Sequence, residues 1–214
     1  MEDARLRELA REQGTPLYVY SRDMLVERAK KLLNLELPFG LTARYAVKAN
    51  NHPEVIRLFH ESGLHFDASS SYEAQELLEL GIAGDQISLS SQQPAHNLTA
   101  LIEAGVLYVA TSLHQLELFV TSENHPTSVG LRVNPGIGAG HNNRTTTGGA
   151  NSSFGLWQAY VPEALELAAA RGVKIDRLHI HIGSGADPAM WGKMMETALE
   201  IAEAMPDVTS LDMG

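Results

Sequence analysis

The sequence of 214 residues contains no cysteine. Within these residues, this excludes disulfide bonds, catalytic thiolates and cysteine-ligated metals. Basic residues are also scarce, since 16 Lys and Arg stand against 26 Asp and Glu and give a net charge of −10. A nucleic-acid-binding surface needs a basic patch to neutralise phosphates, and no run of basic residues supplies one. The composition therefore argues against a nucleic-acid partner.

Long apolar runs are missing as well. No segment approaches the length that crosses a membrane. The N-terminal stretch MEDARLRELAREQG is charged and helix-like, without the apolar core of a signal peptide. The hydrophobic fraction of 44% and the charged fraction of 20% are those of an ordinary globular protein that can bury a core. We therefore expect a cytoplasmic protein without a membrane partner.

What the sequence does contain is a regular alternation of strand and helix patterns. Residues 15–21 are typical of a short strand, and Ser21 is placed to cap a helix whose apolar face includes Leu25 and Ala29. Further strands are predicted at 43–47, 64–68, 86–89, 107–110, 129–133, 175–182 and 208–213. Amphipathic helices are predicted between them at 53–62, 72–80, 94–104, 113–121, 160–171 and 188–205.

This alternation predicts an α/β fold made of parallel βαβ units. An open doubly wound sheet is one such arrangement, but no Gly-x-Gly-x-x-Gly turn follows an early strand. A (β/α)8 barrel needs eight strands and typically about 250 residues. The seven strands after residue 42 therefore favour a TIM-type barrel that is truncated after its seventh strand. In this interpretation, residues 1–41 form a helix, a strand and a helix that lead into an incomplete barrel at 42–214.

One segment departs from the alternation. Residues 134–157, NPGIGAGHNNRTTTGGANSSFGLW, are rich in Gly, Asn, Ser and Thr. A disordered surface loop is the simplest interpretation, but a loop this long within a compact α/β domain is usually functional. It follows the fifth strand of the predicted barrel, so it would cover the catalytic mouth. We expect it to be part of a site.

Polar residues fall at or near the ends of several predicted strands, where barrel active sites are built. They are Lys48, Asp67, Arg132, His179, His181 and Asp212, and Gly214 stands beside the last of them. Each has a simpler explanation: the lysine can be solvated, Asp67 can belong to a helix cap, and the His-x-His pair is too weak a pattern to assign a metal. Their joint placement nevertheless favours chemistry. A lysine amine can form a Schiff base with pyridoxal phosphate, whose phosphate suits a turn such as GSG.

Five motifs together resemble the fold-type III pyridoxal-phosphate-dependent decarboxylases, whose barrel is of the alanine racemase-like kind. The motifs are YAVKAN, FDASSSYEA, LRVNPG, HIHIGSG and LDMG, in that order. The resemblance implies pyridoxal 5'-phosphate as cofactor, with Lys48 as the Schiff-base residue and His181 stacked on the cofactor ring. The cofactor-binding residues that it implies are Lys48, Asp67, Arg132, His181, Ser184 and Gly214, with Glu73 a weaker candidate.

The opening TPLYVYS, the paired histidines and RVNPG look most like the diaminopimelate decarboxylase subfamily. This implies decarboxylation of meso-diaminopimelate to L-lysine. Ser153 stands where the family commonly has lysine, so ornithine, lysine, arginine and carboxynorspermidine-type substrates stay open. An amino-acid racemase or a non-catalytic barrel homologue would also fit the lysine at the first barrel strand.

The resemblance further implies a homodimer and a C-terminal β-domain beyond residue 214. In such enzymes that domain contributes residues to the active site of the partner subunit. We therefore expect the 214-residue chain alone to bind the cofactor weakly and to be inactive.

Overall fold

The computed structural model describes residues 3–138, 146–185 and 187–214. Its strands are β1 Arg44–Ala46, β2 His65–Ala68, β3 Ile87–Leu89, β4 Leu107–Ala110, β5 Ser128–Asn134, β6 Leu156–Trp157, β7 Lys174–His179 and β8 Ser210–Asp212. Its α-helices are α1 Asp3–Gln13, α2 Arg22–Leu33, α3 Pro53–Glu61, α4 Ser71–Glu79, α5 Leu98–Glu103, α6 Leu113–Thr121, α7 Val161–Ala169 and α8 Pro188–Glu203. Among these described residues, no helix is both long and apolar enough to cross a membrane.

The strands form one parallel sheet in the order β1-β2-β3-β4-β5-β7-β8, and the short β6 pairs with β5 beside this path. Each strand of the path therefore lies next to its neighbour along the chain, apart from β6. A doubly wound sheet would reverse its strand order at a switch point, and this sheet does not. The consecutive order confirms the predicted barrel architecture, here as a partial barrel with helices around the sheet.

The sheet curls so that its two ends approach each other. Asp67 on β2 and Asp212 on β8 interact electrostatically, and so do Arg44 on β1 and Arg177 on β7. These interactions indicate that β1 and β2 face β7 and β8 across a common interior. The polar residues at the strand ends can therefore share one site although their strands are far apart in the sheet order.

Side-chain alternation along β2 shows which face is inside. Phe66 and Ala68 are fully buried on the side of the helices, whereas His65 and Asp67, which alternate with them, are only partly buried. On the helix side, α3 covers the sheet with four buried apolar residues, Val55, Ile56, Leu58 and Phe59. The apolar core thus lies between sheet and helices, and the polar face of the sheet is left for the interior.

Helix starts follow the capping chemistry of the sequence. The Ser21 hydroxyl accepts from the Met24 amide at the start of α2, as predicted. At α4 the capping residue is Ser70, and the helix begins at Ser71, one residue earlier than predicted. Glu73 completes this cap, because its carboxylate accepts from the Ser69 amide at 2.6 Å.

Three predicted elements differ from the structure by more than two residues. The strand predicted at 175–182 ends at His179, so His181 lies beyond it. Residues 15–21 form no strand, because within the described residues no neighbouring strand pairs with them and an extended segment needs such a ladder. The helix predicted at 94–104 begins only at Leu98, after a turn at residues 96–97, and Pro94 lies before that turn.

The predicted loop at 134–157 is partly ordered by pairing. Residues 139–145 lie outside the described residues. Thr146 forms an antiparallel bridge with Gly183, and Leu156 and Trp157 add the short strand β6 beside β5. The described end of the loop is thereby held between the C-terminal ends of β5 and β7.

Candidate active site

The strand register places three polar residues in one row on the second half of the sheet. Arg132 on β5 is paired with His179 on β7, and His179 is paired with Asp212 on β8. On the first half, Asp67 on β2 is paired with Ala46, the last residue of β1. Lys48 follows in a single 3-10 turn, Val47–Ala49. The predicted convergence of polar residues at the strand ends is thus present.

Lys48 is exposed at the mouth of this interior. Within the described part of the chain it makes no salt bridge, although its charge acts on Asp67, His179 and His181. The 3-10 turn follows directly after β1, which ends at Ala46, one residue earlier than predicted. An accessible amine that is not tied to a carboxylate is available for a covalent partner.

Asp67 is a partly buried carboxyl, and one of its two oxygens is inaccessible to solvent. Its Oδ1 has no solvent contact and no hydrogen-bond partner among the described residues. Burial, followed by the nearby charge of Asp212, raises the pKa of Asp67 to about 7, against the opposing effect of Lys48, Arg132 and Arg44. Near neutral pH this carboxyl can therefore either donate or accept a proton.

The two histidines of HIHIGSG are neutral at pH 7. Burial lowers the pKa of His179 to about 4, and burial with the charges of Arg132 and Lys48 lowers the pKa of His181 to about 4. His179 is only 5% exposed, whereas His181 is partly open to the interior. The Nδ1 atoms of both rings are buried without a partner among the described residues.

Gly214 packs against the imidazole of His181. A Cβ at this position would lie 2.7 Å from Cγ of His181, and the backbone φ of +83° also favours glycine. The Gly214 amide donates to Oδ1 of Asp212 at 3.0 Å. Glycine thus lets the chain pass close to the ring and tie the end of β8 to the site.

Arg132 is a buried cation, 7% exposed, below the mouth. The Phe154 ring lies over its guanidinium, with 5.1 Å between Cζ and the ring centroid. Gly155, at a φ of +81°, lets the backbone approach, because a Cβ there would lie 3.1 Å from the Arg132 carbonyl oxygen. Within the described residues the guanidinium has no salt bridge, so its charge remains available to an anion.

Two other predicted site residues, Ser184 and Glu73, lie outside the row of polar residues at the strand ends. Ser184 is exposed in the turn after His181, so its hydroxyl is accessible from the mouth. Glu73 is committed to the cap of α4 through its bond to the Ser69 amide, which gives it a structural task outside the interior.

Sequence reasoning missed Asn134 as part of the site. Asn134 is 2% exposed and its side chain makes four hydrogen bonds, all to the backbone of the predicted loop. The only signal in the sequence was its position between a buried strand and a Pro-Gly turn. That pattern favours a turn and gives no indication of partners more than ten residues away.

The partial barrel and its lysine-bearing mouth define a class of protein. The pyridoxal-binding domain of the pyridoxal-dependent decarboxylases matches residues 23–213, and the chain belongs to that family. Among its relatives, diaminopimelate decarboxylase of Streptomyces coelicolor is 31% identical over 221 residues, covering 100% of this chain and 49% of the relative. That of Methanothermobacter thermautotrophicus is 32% identical over 211 residues, covering 96% and 49%.

Solved structures give the same fold. A diaminopimelate decarboxylase crystal structure superposes with a TM-score of 0.84 at 27% identity, over 99% of this chain and 51% of that chain. Lysine/ornithine decarboxylase of Vibrio vulnificus, complexed with putrescine, has a TM-score of 0.79 at 20% identity, over 99% and 55%, and supports the fold alone. The chain thus spans about half the length of the relatives it matches.

The residues present fit the cofactor of this family. A pyridoxal phosphate brings an aldehyde, a polar ring and a dianionic phosphate. The site offers the exposed amine of Lys48 and the buried guanidinium of Arg132, which has no salt bridge within the described residues. Asp67 Oδ1 and Nδ1 of His179 and His181 are buried polar atoms without hydrogen-bond partners in the described part of the chain. A buried polar atom without a partner is costly, so these atoms fit an additional polar group in the interior.

Proposed function

We propose that this chain is the cofactor-binding part of an amino-acid decarboxylase that converts meso-diaminopimelate to L-lysine. The observation that carries the proposal is the exposed amine of Lys48 at the same mouth as Asp67, Arg132 and His181. Membership of the pyridoxal-dependent decarboxylase family supports the cofactor, and the relatives named above support the substrate.

Lys48 is the proposed attachment point. When bound, pyridoxal phosphate supplies an electron sink for the electron pair left at the α-carbon as the carboxylate departs. Lys48 contributes an amine that holds the cofactor in place and releases it to the amine of the substrate. Its exposed position in the 3-10 turn after β1 would give the substrate amine access to the cofactor carbon that the lysine holds.

His181 is proposed to fix the plane of the cofactor ring. A neutral imidazole can stack on an aromatic face without adding a charge, and the low pKa of His181 keeps it neutral at pH 7. Gly214 packs on the ring of His181, and Thr147 Oγ1 donates to its carbonyl at 3.1 Å. Both the ring and the backbone of His181 are thereby positioned.

Asp67 and Arg132 set the charge of the interior. With its pKa near 7, Asp67 can hold a proton or release it to a polar group beside its free Oδ1. Arg132 supplies a buried positive charge that favours an anion. Ser184 and Gly214 are the proposed phosphate contacts, because the family resemblance assigns them this role and both are exposed.

The proposed enzyme is larger than the 214 residues of this chain. A homodimer, a C-terminal β-domain and a cytoplasmic location remain predictions that rest on the family resemblance and the composition. Sedimentation of a full-length chain would measure the dimer.

Borohydride trapping tests the cofactor assignment. The wild-type chain is incubated with pyridoxal phosphate, reduced and mapped by peptide mass spectrometry. We expect the adduct on the Lys48 peptide and its loss in Lys48→Arg. The matched control is Lys31→Arg, because Lys31 is exposed on α2 and paired with Glu27. An unchanged adduct pattern in Lys48→Arg would contradict the assignment.

Substrate specificity requires a full-length chain. We expect carbon dioxide release from meso-diaminopimelate to exceed release from ornithine, lysine or arginine. Inversion of the substrate without carbon dioxide would instead identify a racemase. Trapping at Lys48 with no turnover of any of these amino acids would identify a non-catalytic homologue.

A further inference from the structure

The Asn134 side chain is the anchor of the described loop segment 146–155. Its Nδ2 donates to the carbonyls of Gly149, at 3.0 Å, and Ser152, at 3.2 Å. Its Oδ1 accepts from the amides of Gly136 and Gly149, both at 3.0 Å. A side-chain amide has two N–H donors and two acceptor positions, so every hydrogen-bonding capacity of Asn134 is used.

Ser152 extends this anchor in two directions. Its hydroxyl donates to the Thr147 carbonyl at 2.9 Å and accepts from the Phe154 amide at 3.2 Å. Because Asn134 holds the Ser152 carbonyl, it holds the residue that joins Thr147 to Phe154. A single buried amide thereby controls both ends of the segment.

The two ends of the segment contact the two halves of the candidate site. Phe154 lies over the guanidinium of Arg132, and Thr147 bonds the backbone of His181 through its hydroxyl. The Thr147 amide also donates to the Ile182 carbonyl at 3.2 Å. Displacement of the segment would release both Arg132 and His181.

We propose that Asn134 is a positioning residue that sets the placement of Arg132 and His181 for the cofactor through loop segment 146–155. The inference deepens the proposed function and rests on it for the identity of the bound group. Asn134 does not itself contact that group. It acts through Phe154 and Thr147.

A second contact of segment 146–155, between Gln92 and Ser153, is too exposed to hold the segment in place. Gln92 Nε2 donates to the Ser153 carbonyl at 2.9 Å, but both residues are exposed and water can replace this bond. Asn134 is buried, and its partners are backbone groups that would lose their bonds without it. Buried groups left without partners cost much more than exposed ones.

Asn134→Asp is the test variant, because it changes one donor group and preserves shape. An oxygen would then face the carbonyls of Gly149 and Ser152, which repels the segment. The matched control is Asn151→Asp, the same chemical change at an exposed position of the same segment.

The wild type and both variants are compared in three measurements. The first is the rate of chymotrypsin cleavage after Phe154. The second is the dissociation constant of pyridoxal phosphate from equilibrium dialysis. The third is the induced circular dichroism of the visible cofactor band at saturation, which reports how the cofactor is held.

For Asn134→Asp we expect faster cleavage after Phe154 and a weaker dichroic signal. We also expect the dissociation constant of pyridoxal phosphate to rise about tenfold, because the free energy of about one buried hydrogen bond would be needed to bring the segment back into place. Asn151→Asp should match the wild type in all three. Equal cleavage and equal affinity in the two variants would overturn the inference, and so would a weaker affinity with an unchanged dichroic signal.

Failure of the proposed function can be told apart from failure of this inference. A wild-type chain that binds no pyridoxal phosphate would contradict the proposed function, whereas chymotrypsin cleavage would still measure whether Asn134 holds the segment. If Asn134→Asp does not fold, Thr147→Val and Phe154→Leu each remove one contact of the segment. Each should then raise the dissociation constant. No change in either would overturn the inference.

Discussion

Asp67 on β2 and Asp212 on β8 act on each other electrostatically although β3, β4, β5 and β7 lie between their strands in the sheet. The pair is asymmetric. Burial and the charge of Asp212 raise the pKa of Asp67 to about 7. Burial alone would also raise the pKa of Asp212, but His179, the Gly214 amide and Arg44 together lower it below its usual value. One carboxyl therefore stays charged while the other titrates near neutrality.

This asymmetry predicts a pH-dependent effect of Asp67→Asn on stability. A carboxyl whose pKa is raised on folding stabilises the folded state at pH below its unfolded value of about 4, and this contribution is lost as the pH rises to about 7. Asp67→Asn should therefore become progressively more stable than the wild type between pH 5 and 7.5. The gain is at most about 1.4 kcal/mol per pH unit.

Urea unfolding at several pH values measures this difference. The depressed pKa values of His179 and His181 act oppositely, since their contribution is lost as the pH falls from about 6.5 to about 4. They are present in both proteins and cancel to first order. Glu117→Gln, the same charge change on the exposed face of α6, is the control and should give a constant difference. A constant difference for Asp67→Asn would contradict the raised pKa.

Gly214→Ala should displace the imidazole of His181. The added Cβ would lie 2.7 Å from Cγ of His181, so the ring must move. Gly172→Ala is the matched control, because its φ of +69° carries the same backbone strain with nothing within 4 Å of the added Cβ. Both variants should lose roughly 1 kcal/mol of stability from the left-handed backbone.

Histidine ring resonances in a two-dimensional NMR spectrum separate the two glycine variants. Only Gly214→Ala should shift the signals of His181, and only this variant should weaken the binding of pyridoxal phosphate. Identical histidine spectra for the two variants would show that the contact with the ring is absent.

Ser70→Ala should destabilise the protein by about 1 kcal/mol through loss of the α4 cap. Glu73→Ala should also lower stability, because it removes the acceptor of the Ser69 amide, whereas Glu73→Gln keeps an oxygen there. Thermal unfolding measures these effects. Pyridoxal phosphate trapping at Lys48 should stay unchanged in both Glu73 variants, and reduced trapping would instead place Glu73 at the cofactor.

Gln115→Leu should cost at least about 2 kcal/mol, since the buried amide serves four partners. Its Oε1 accepts from the Tyr108 hydroxyl and the Thr111 amide, and its Nε2 donates to the carbonyls of Ser91 and Gln92. The control, Gln158→Leu, changes an exposed side chain and should cost far less. Urea unfolding gives both values, and equal losses would contradict the network.

Local chemistry made much of the fold predictable from the sequence. Helix α6 has its predicted bounds, Leu113–Thr121, because Ser112 caps it and its buried positions recur at helical spacing. The prediction of a strand at 15–21 was wrong, because a strand needs a partner strand and the local sequence pattern does not show whether one is present. The alternation of strands and helices predicted parallel strands, and the absence of a Gly-x-Gly-x-x-Gly turn favoured the barrel, whose strands are consecutive.

The candidate site was predictable to the level of which strand ends carry polar groups. The pairing of Arg132 with His179, and of His179 with Asp212, depends on the strand register. The role of Asn134 depends on a loop that folds back over more than ten residues to reach it. Tertiary contacts of this kind leave no mark in local spacing.

The strand order also has a consequence for how the chain folds. Each ladder from β1 to β5 joins strands separated by a single helical crossover, so loop closure between partners spans short stretches of sequence. The conformational entropy lost on closing a loop grows with the length of the loop, so pairing consecutive strands costs less than pairing strands from distant parts of the chain. On a ribosome, β2 can therefore dock on β1 before β3 is made, and the sheet can grow in the direction of synthesis.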